Sequence, residues 1–392
     1  MKIARRFFAY LLVLAVPLLA LSQTPTPQKT ASGQYLTYVG TYTTKQSSKG
    51  IYAYRFDATT GQLTSIGLAA ESTDPSFVAV HPNGKYLYAV NEISDFNGMK
   101  SGAVSAFAID AKSGTLKLLN QVSTHGAGPC YVSLDKTGAF VLVANYDGGS
   151  VASFRVQDDG SLSLVSGFVQ HSGSSVDKAR QEGPHAHWIG VSPDNRLALV
   201  ADLGLDDVLV YHFDSYKGSL TPNNPPYAEV KPGSGPRHVA FHPNGKFAYV
   251  LNEMGSTVTA FVWSAQKGSL SAFQTISTVA KEYSGVKEAA ELVVHPSGKF
   301  LYASNRGTAN SITIFTIDAT KGTLKLVGEV STKGQTPRNF AIDPTGTFLL
   351  AANQDSGSIV AFRIDPATGG LTPTDQNIEA PAPVCIAFVP RE

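Results

Sequence analysis

Short apolar stretches alternate with polar ones along this chain, and the alternation repeats. Arg237-His238-Val239-Ala240-Phe241 leads into His242-Pro243-Asn244-Gly245-Lys246, and Phe247-Ala248-Tyr249-Val250-Leu251-Asn252 leads out. The apolar runs read as two strands. The segment between them reads as a turn, because Pro presets one backbone dihedral while Asn and Gly tolerate the left-handed region. Ser256-Thr257-Val258-Thr259-Ala260-Phe261 then alternates as a third strand, and Gly268-Ser269-Leu270 opens a fourth. The same order returns along the chain. The second strands end at Thr41, Asn91, Asn145, Asp202, Asn252, Asn305 and Asn353, with 48 to 57 residues between successive copies.

A period of that length with four short strands per unit predicts the blades of a propeller. Tyr35 to Thr41 matches a second strand with no first strand before it, whereas Pro383 to Pro390 matches a first strand with no hairpin after it. The two halves complete one another. The expectation is an all-β fold: a seven-bladed β-propeller of four-stranded antiparallel blades, its ring closed by the C-terminal strand completing the first blade. Closure removes two sheet edges that would otherwise invite aggregation. Residues 35–392 are expected to form this single domain.

The N-terminus has a different pattern. Met1-Lys2-Ile3-Ala4-Arg5-Arg6 precedes an apolar run from Phe7 to Leu21, and small residues follow. This order predicts a signal peptide over 1–22 and a polar linker over 23–34. The run is short for a bilayer span. Export to the periplasm or the medium is expected, with no stable membrane insertion after cleavage. Charged residues are 16% of the chain and the formal net charge is +1, which gives no long-range attraction to nucleic acid. The two cysteines, Cys130 and Cys385, fall in first strands of neighbouring blades. Their repeat positions differ by one residue, so strand alternation points them to opposite faces and both are expected to be reduced and buried.

Where a hairpin reverses, the start of its first strand and the end of its second share one face of the ring. The residues that vary between copies lie at these two places. His185, His187, Arg237, His238, Glu291, Arg338 and Asn339 sit at the starts, and Glu92, Tyr146, Asp202, Glu253, Arg306 and Gln354 at the ends. They are expected to line one central mouth. The opposite face carries near copies such as Pro243-Asn244-Gly245-Lys246 and Pro296-Ser297-Gly298-Lys299. Turn chemistry accounts for these, and His81, His242 and His295 are read as part of the turn.

The residue types in the mouth fit ester chemistry on a small anionic or sugar-lactone substrate. Arg237 and Arg306 offer bidentate grips for an anion. Glu253 follows Arg237 by sixteen residues, so the hairpin folds the two together. His187 and Glu253 form the natural proton-transfer pair. The alternative use of His185-Ala186-His187 is a metal pair, although no further ligand pattern points to a third donor. No Gly-rich loop opens a helix, so a dinucleotide or nucleoside triphosphate cofactor is disfavoured.

At Gly183-Pro184-His185-Ala186-His187, Gly235-Pro236-Arg237-His238, Asn252-Glu253 and Asn305-Arg306 the chain resembles the seven-bladed propeller lactonases. That group includes the propeller form of 6-phosphogluconolactonase and the fungal carboxymuconate lactonising cyclases. The resemblance implies that His187, Arg237, Glu253 and Arg306 are active-site residues, that His185, His238 and Glu291 flank them, and that neither metal nor cofactor is needed. Glu92 and Arg338 are added as substrate-binding residues. The implied reaction is opening of a sugar-acid lactone, with ring closure of a carboxylated diene, or a non-catalytic exported propeller that binds a partner, as the alternatives. An export signal departs from the cytosolic setting of phosphogluconate metabolism and favours an unphosphorylated aldonolactone or an aromatic-degradation product as substrate.

Overall fold

A computed structural model describes residues 33–44 and 47–390. The expected signal peptide and all but the last two residues of the expected linker lie outside the described residues. Among the described residues no helix is long and apolar enough to cross a membrane.

Among the described residues, twenty-eight strands form seven four-stranded antiparallel sheets. Blades 2 to 7 take consecutive segments of the chain, 78–123, 129–170, 186–229, 236–277, 289–331 and 337–379. Blade 1 is composite. Pro383–Phe388 pairs with Gln34–Thr41, setting Tyr38 opposite Ala387 and Val39 opposite Ile386, so the C-terminal strand closes the ring as expected.

The second strands read as continuous apolar runs because neighbouring blades cover both of their faces. Phe247–Asn252, Phe300–Asn305 and Phe348–Asn353 are buried at every position. The outer strands alternate instead, as in Leu324–Ser331. The core therefore sits between blades. Tyr38, Ile51 and Ala53 of blade 1 pack on Leu87, Ala89 and Phe107 of blade 2, while Tyr35, Tyr54 and Phe56 pack on Phe348, Leu350 and Ile359 of blade 7.

Repeated polar residues tie blade to blade. The phenols of Tyr88, Tyr249 and Tyr302 donate to the carbonyls of Gly160, Gly322 and Gly369 in the next blade at 3.0, 2.9 and 2.8 Å. Those glycines hold positive φ, and at Gly322 a Cβ would lie 2.5 Å from the Phe247 ring. On the turn face, Nε2 of His81, His242 and His295 meets the turn carbonyls of Gly138, Gly298 and Gly346 at 3.0, 2.9 and 2.8 Å. The repeated Asn ends second strands by pinning the segment after an outer strand, as where Asn305 Nδ2 donates to the Thr278 carbonyl at 2.9 Å.

Candidate active site

The first strands are not regular. Their pairing slips between Pro129 and Tyr131, Ala186 and Trp188, Pro236 and His238, and Pro337 and Asn339. A β-bulge leaves one residue unpaired and re-aims its side chain. The bulged residues are Cys130, His187, Arg237 and Arg338, and each of them lines a cavity at the axis. The one-residue bulge is what converts a strand start into a site position.

Two layers result. The residues one position further along fill the axis: Phe77 lies 4.2 Å from Tyr131, Tyr131 lies 5.2 Å from His238 between ring centroids, and His238 Nδ1 meets Glu291 Oε1 at 2.8 Å. Glu291 in turn accepts from Asn339 Nδ2 and from the Leu292 amide. Above this layer a depression of about 550 Å3, open to solvent, is lined by Glu92, Cys130, Tyr146, Arg180, His187, Glu253, Glu288, Arg306 and Arg338. A smaller inner pocket of about 230 Å3 adjoins it and is lined by Ser76, Phe77, Glu92, Cys130, His187, Arg237, His238, Arg338 and Val384.

Glu253 is the electrostatic centre of one side. Arg237 Nε donates to its Oε2 at 2.9 Å, Arg180 Nη2 donates to Oε1 at 2.7 Å, and Arg306 Nη2 stands 2.9 Å from Oε2. Burial alone would raise this carboxyl, but Arg306, Arg237 and Arg180 outweigh it and hold the pKa at about 2. Glu253 is thus a carboxylate throughout the working pH range. The cost falls on Arg237, which burial and the nearby Arg338 and Arg306 bring down to about 10. It is still a cation at neutral pH. Arg237 Nη1 also donates to the Ala290 carbonyl.

His187 is buried beside these charges. Burial, and then the Arg237 cation, push its pKa well below the ordinary imidazole value, so the ring is neutral. Its Nδ1 is buried and meets no hydrogen-bond partner among the described residues. No hydrogen bond joins His187 to Glu253 among the described residues, although a proton-transfer pair was expected there.

On the far side of the mouth stand Glu92, Tyr42 and Arg338. The Tyr42 phenol donates to both oxygens of Glu92, at 2.9 and 2.8 Å, and the Arg338 guanidinium lies 5.3 Å from the Tyr42 ring centroid. Burial raises the Glu92 carboxyl above its ordinary value, against Arg338 and Tyr42, which pull it down. No carboxylate forms an ion pair with Arg338 among the described residues.

The structure therefore brings His187, Arg237, Glu253, Arg306, His238, Glu92 and Arg338 together around one opening. His185 stands behind it, stacked on Tyr146 at 4.6 Å with Nδ1 on the Tyr146 carbonyl at 3.0 Å. Glu291 belongs to the layer beneath. Asp202 is turned inward: it accepts from the His185 and Gly204 amides at 2.7 and 3.0 Å and pairs with His171 Nδ1 at 2.6 Å. The residue in register with Glu253 is Leu203. Arg237 and Arg306, expected as anion grips, are tied to Glu253. Among the described residues no cluster of three donors is placed to hold a metal.

Two lining residues were not foreseen. Arg180 comes from the segment 171–185, where Asp177 Oδ1 accepts from the Ala179 and Arg180 amides at 2.9 and 3.2 Å and Gln181 Nε2 donates to the Leu203 carbonyl at 2.8 Å. Glu288 comes from the segment before blade 6, and its carbonyl accepts from the Arg306 amide at 3.0 Å. Both segments lie between blades. Neither belongs to the repeat, so no register singled out a residue in them.

Known proteins share this architecture. The family described as Lactonase, 7-bladed β-propeller, matches residues 36–388. A 6-phosphogluconolactonase of Bacillus subtilis is 37% identical over 356 residues, covering 91% of this chain and 99% of that one. A 6-phosphogluconolactonase of Formosa agariphila is 37% identical over 343 residues, covering 87% and 96%. Among solved structures, a periplasmic gluconolactonase of Pseudomonas aeruginosa matches with a TM-score of 0.86 at 35% identity, covering 91% of this chain and 99% of that one. The chain belongs to the seven-bladed β-propeller lactonases. It is an enzyme of the lactone-hydrolysing class.

Proposed function

We propose that this enzyme opens an unphosphorylated sugar-acid lactone outside the cytoplasm. The observation that carries the hydrolytic part of this reading is the charge arrangement of the mouth. Arg180, Arg237 and Arg306 converge on Glu253, and Arg338, next to the neutral ring of His187, forms no ion pair with a carboxylate among the described residues. Arg338 suits the single negative charge that develops on the carbonyl oxygen and persists in the product carboxylate. A phosphate ester would bring about two further negative charges at neutral pH. The four arginines of the mouth outnumber its carboxylates, so charge alone does not reject a phosphate, and the preference for a plain lactone rests on the basic, apolar N-terminus expected to direct export and on the likeness to a periplasmic gluconolactonase.

The chemistry divides among the residues as follows. Neutral His187 accepts a proton from the attacking water, since a ring with a lowered pKa is unprotonated and available at neutral pH. Arg338 stabilises the oxyanion. Glu253 holds Arg237 and Arg306 in place rather than exchanging protons, because three guanidinium groups keep it ionised. The relatives named 6-phosphogluconolactonase and periplasmic gluconolactonase support lactone hydrolysis, and the basic, apolar N-terminus supports export.

The test is a pH-stat comparison on the mature chain. Glucono-1,5-lactone is expected to give a kcat/KM about tenfold or more above that of its 6-phosphate, which corresponds to about 1.4 kcal/mol of preference in the transition state. Preference for the phosphate would overturn the substrate assignment. Turnover of neither would overturn the hydrolytic reading in this form.

A further inference from the structure

The two cavities at the axis share four lining residues: Glu92, Cys130, His187 and Arg338. These mark the neck between the open mouth and the inner pocket. A reacting carbonyl held at this neck is beside these four residues. Glu253 is engaged on both oxygens by arginines.

Opening a lactone needs a proton for the departing ring oxygen as well as a base for the water. The mouth holds several acids, and their surroundings separate them. Glu253 has no proton to give. His238 is tied through Nδ1 to Glu291 and through Nε2 to Arg237 Nη1 at 3.2 Å. Burial raises the Cys130 thiol and the Tyr146 phenol, which makes both poor donors. Glu288 lines only the outer depression. What is left at the neck is the Glu92 carboxyl.

We propose that Glu92 is the acid that protonates the leaving ring oxygen, opposite His187 as the base, which rests on the lactonase reading above. Geometry carries this assignment. The Tyr42 phenol spans both carboxyl oxygens and fixes the plane of the group, and the Glu92 amide is itself held by the Asp74 carbonyl at 3.0 Å. Glu92 from blade 2 and His187 from blade 4 both border the same two cavities, so a ring held at the neck is within reach of both. The groups that face Glu92 are Tyr42 from blade 1, Ser76 from its own blade, Cys130 and Asp147 from blade 3, His187 from blade 4, Arg237 from blade 5 and Arg338 from blade 7. Burial outweighs the cations in this set and keeps the carboxyl protonated to higher pH than usual.

The step balances. The water oxygen bonds to the lactone carbonyl carbon and one water proton passes to His187. The bond from that carbon to the ring oxygen breaks, and the Glu92 proton goes to the ring oxygen as a new hydroxyl. The carboxylic acid product ionises, His187 releases its proton, and Glu92 is reprotonated. Lactone and water become a hydroxy acid with no other reactant.

Because the acid must carry its proton, the rate falls as pH rises through the Glu92 pKa, and that alkaline limb belongs to Glu92. Glucono-1,5-lactone turnover by the mature chain, corrected for spontaneous hydrolysis, reads this directly. In Glu92→Gln, kcat is expected to fall roughly 100-fold, with KM little changed and the alkaline limb gone. Survival of the limb in Glu92→Gln, or a kcat within about twofold of wild type, overturns the proposal. Tyr42→Phe is the second variant, for use where the first is poorly folded. Loss of a phenol that favours the carboxylate raises the Glu92 pKa, so the limb moves to higher pH, and a stationary limb counts against the assignment. A wild-type chain active on the lactone with His187→Ala inactive and Glu92→Gln unimpaired sinks only this inference. A wild-type chain with no turnover sinks the lactonase reading with it.

Discussion

The two faces of the ring are built from the same hairpins and have opposite chemistry. On the turn face, His81, His242 and His295 do one job three times, each bonding the turn carbonyl of the next blade. On the mouth face, Cys130, His187, Arg237 and Arg338 occupy one repeat position and present four side chains, of three chemical types, to one cavity. The same side chain recurring at the same register is a fastener. Different side chains at one register, gathered round an axis, make a site. In a repeat protein the residue that breaks the pattern is the one to examine for function, and the bulge beneath it tells where it points.

His187→Ala sharpens that contrast most. Loss of the proposed base is expected to lower kcat on glucono-1,5-lactone by about 10²–10⁴-fold. The ring makes few directional contacts and its Nδ1 has no hydrogen-bond partner among the described residues, so the urea midpoint should move little by comparison. A variant that unfolds early and keeps normal turnover once folded would place His187 among the fasteners.

Glu253→Ala comes next, and its effect is on stability first. Removing the carboxylate leaves Arg237 buried without its counterion, a situation that typically costs about 3–5 kcal/mol. The expected readout is a large fall in urea midpoint, with turnover lost as Arg237 and Arg306 lose their anchor. The pH dependence has a definite sign. The folded pKa of about 2 lies below the ordinary carboxylate value, so Glu253 contributes stability that is present above about pH 4.5 and is lost as pH falls toward 2. Acid titration of the unfolding free energy should be shallower over that window in Glu253→Gln than in wild type. An unchanged slope would mean that the three arginines do not hold the carboxylate as the geometry requires.

How much of this could be read from the chain alone follows the same division. The ring, its closure by Pro383–Phe388 and the convergence of His187, Arg237, Glu253 and Arg306 were readable because each rests on register, which a repeat states many times. Cys130 and Cys385 are free and buried, but they lie in blades 3 and 1 and not in neighbouring blades as expected, because the C-terminal strand joins blade 1 and blade 2 comes between. Asp202 was misplaced because it occupies the Asn position of the repeat, one residue short of the mouth. Arg180 was invisible for the opposite reason. It reaches Glu253 across 73 residues from a segment with no counterpart in other blades, and long-range contact from a non-repeating loop leaves no periodic trace. The hairpin brought Arg237 beside Glu253, as its sixteen-residue spacing implied, but that Arg306 from the next blade would also be engaged by Glu253 lay beyond pattern, since it depends on which of several nearby charges pair.

His242→Ala is the smallest expected effect and the strictest test of the two-face distinction. The side chain is buried, its Nε2 lies 2.9 Å from the Gly298 carbonyl, and its Nδ1 accepts from the Asn244 amide at 3.1 Å. Removal breaks one link between blades 5 and 6 and one within the turn, for a loss of about 1–3 kcal/mol. Blade 5 also carries Arg237 and Glu253, so the substitution strikes the same hairpin that supplies the site, at its other end. If the hairpin behaves as a rigid strut, kcat on the lactone stays within about twofold of wild type while the urea midpoint falls. If kcat falls in step with stability, the turn face is coupled to the mouth through that hairpin, and the separation of fastener from site holds for position but not for energy.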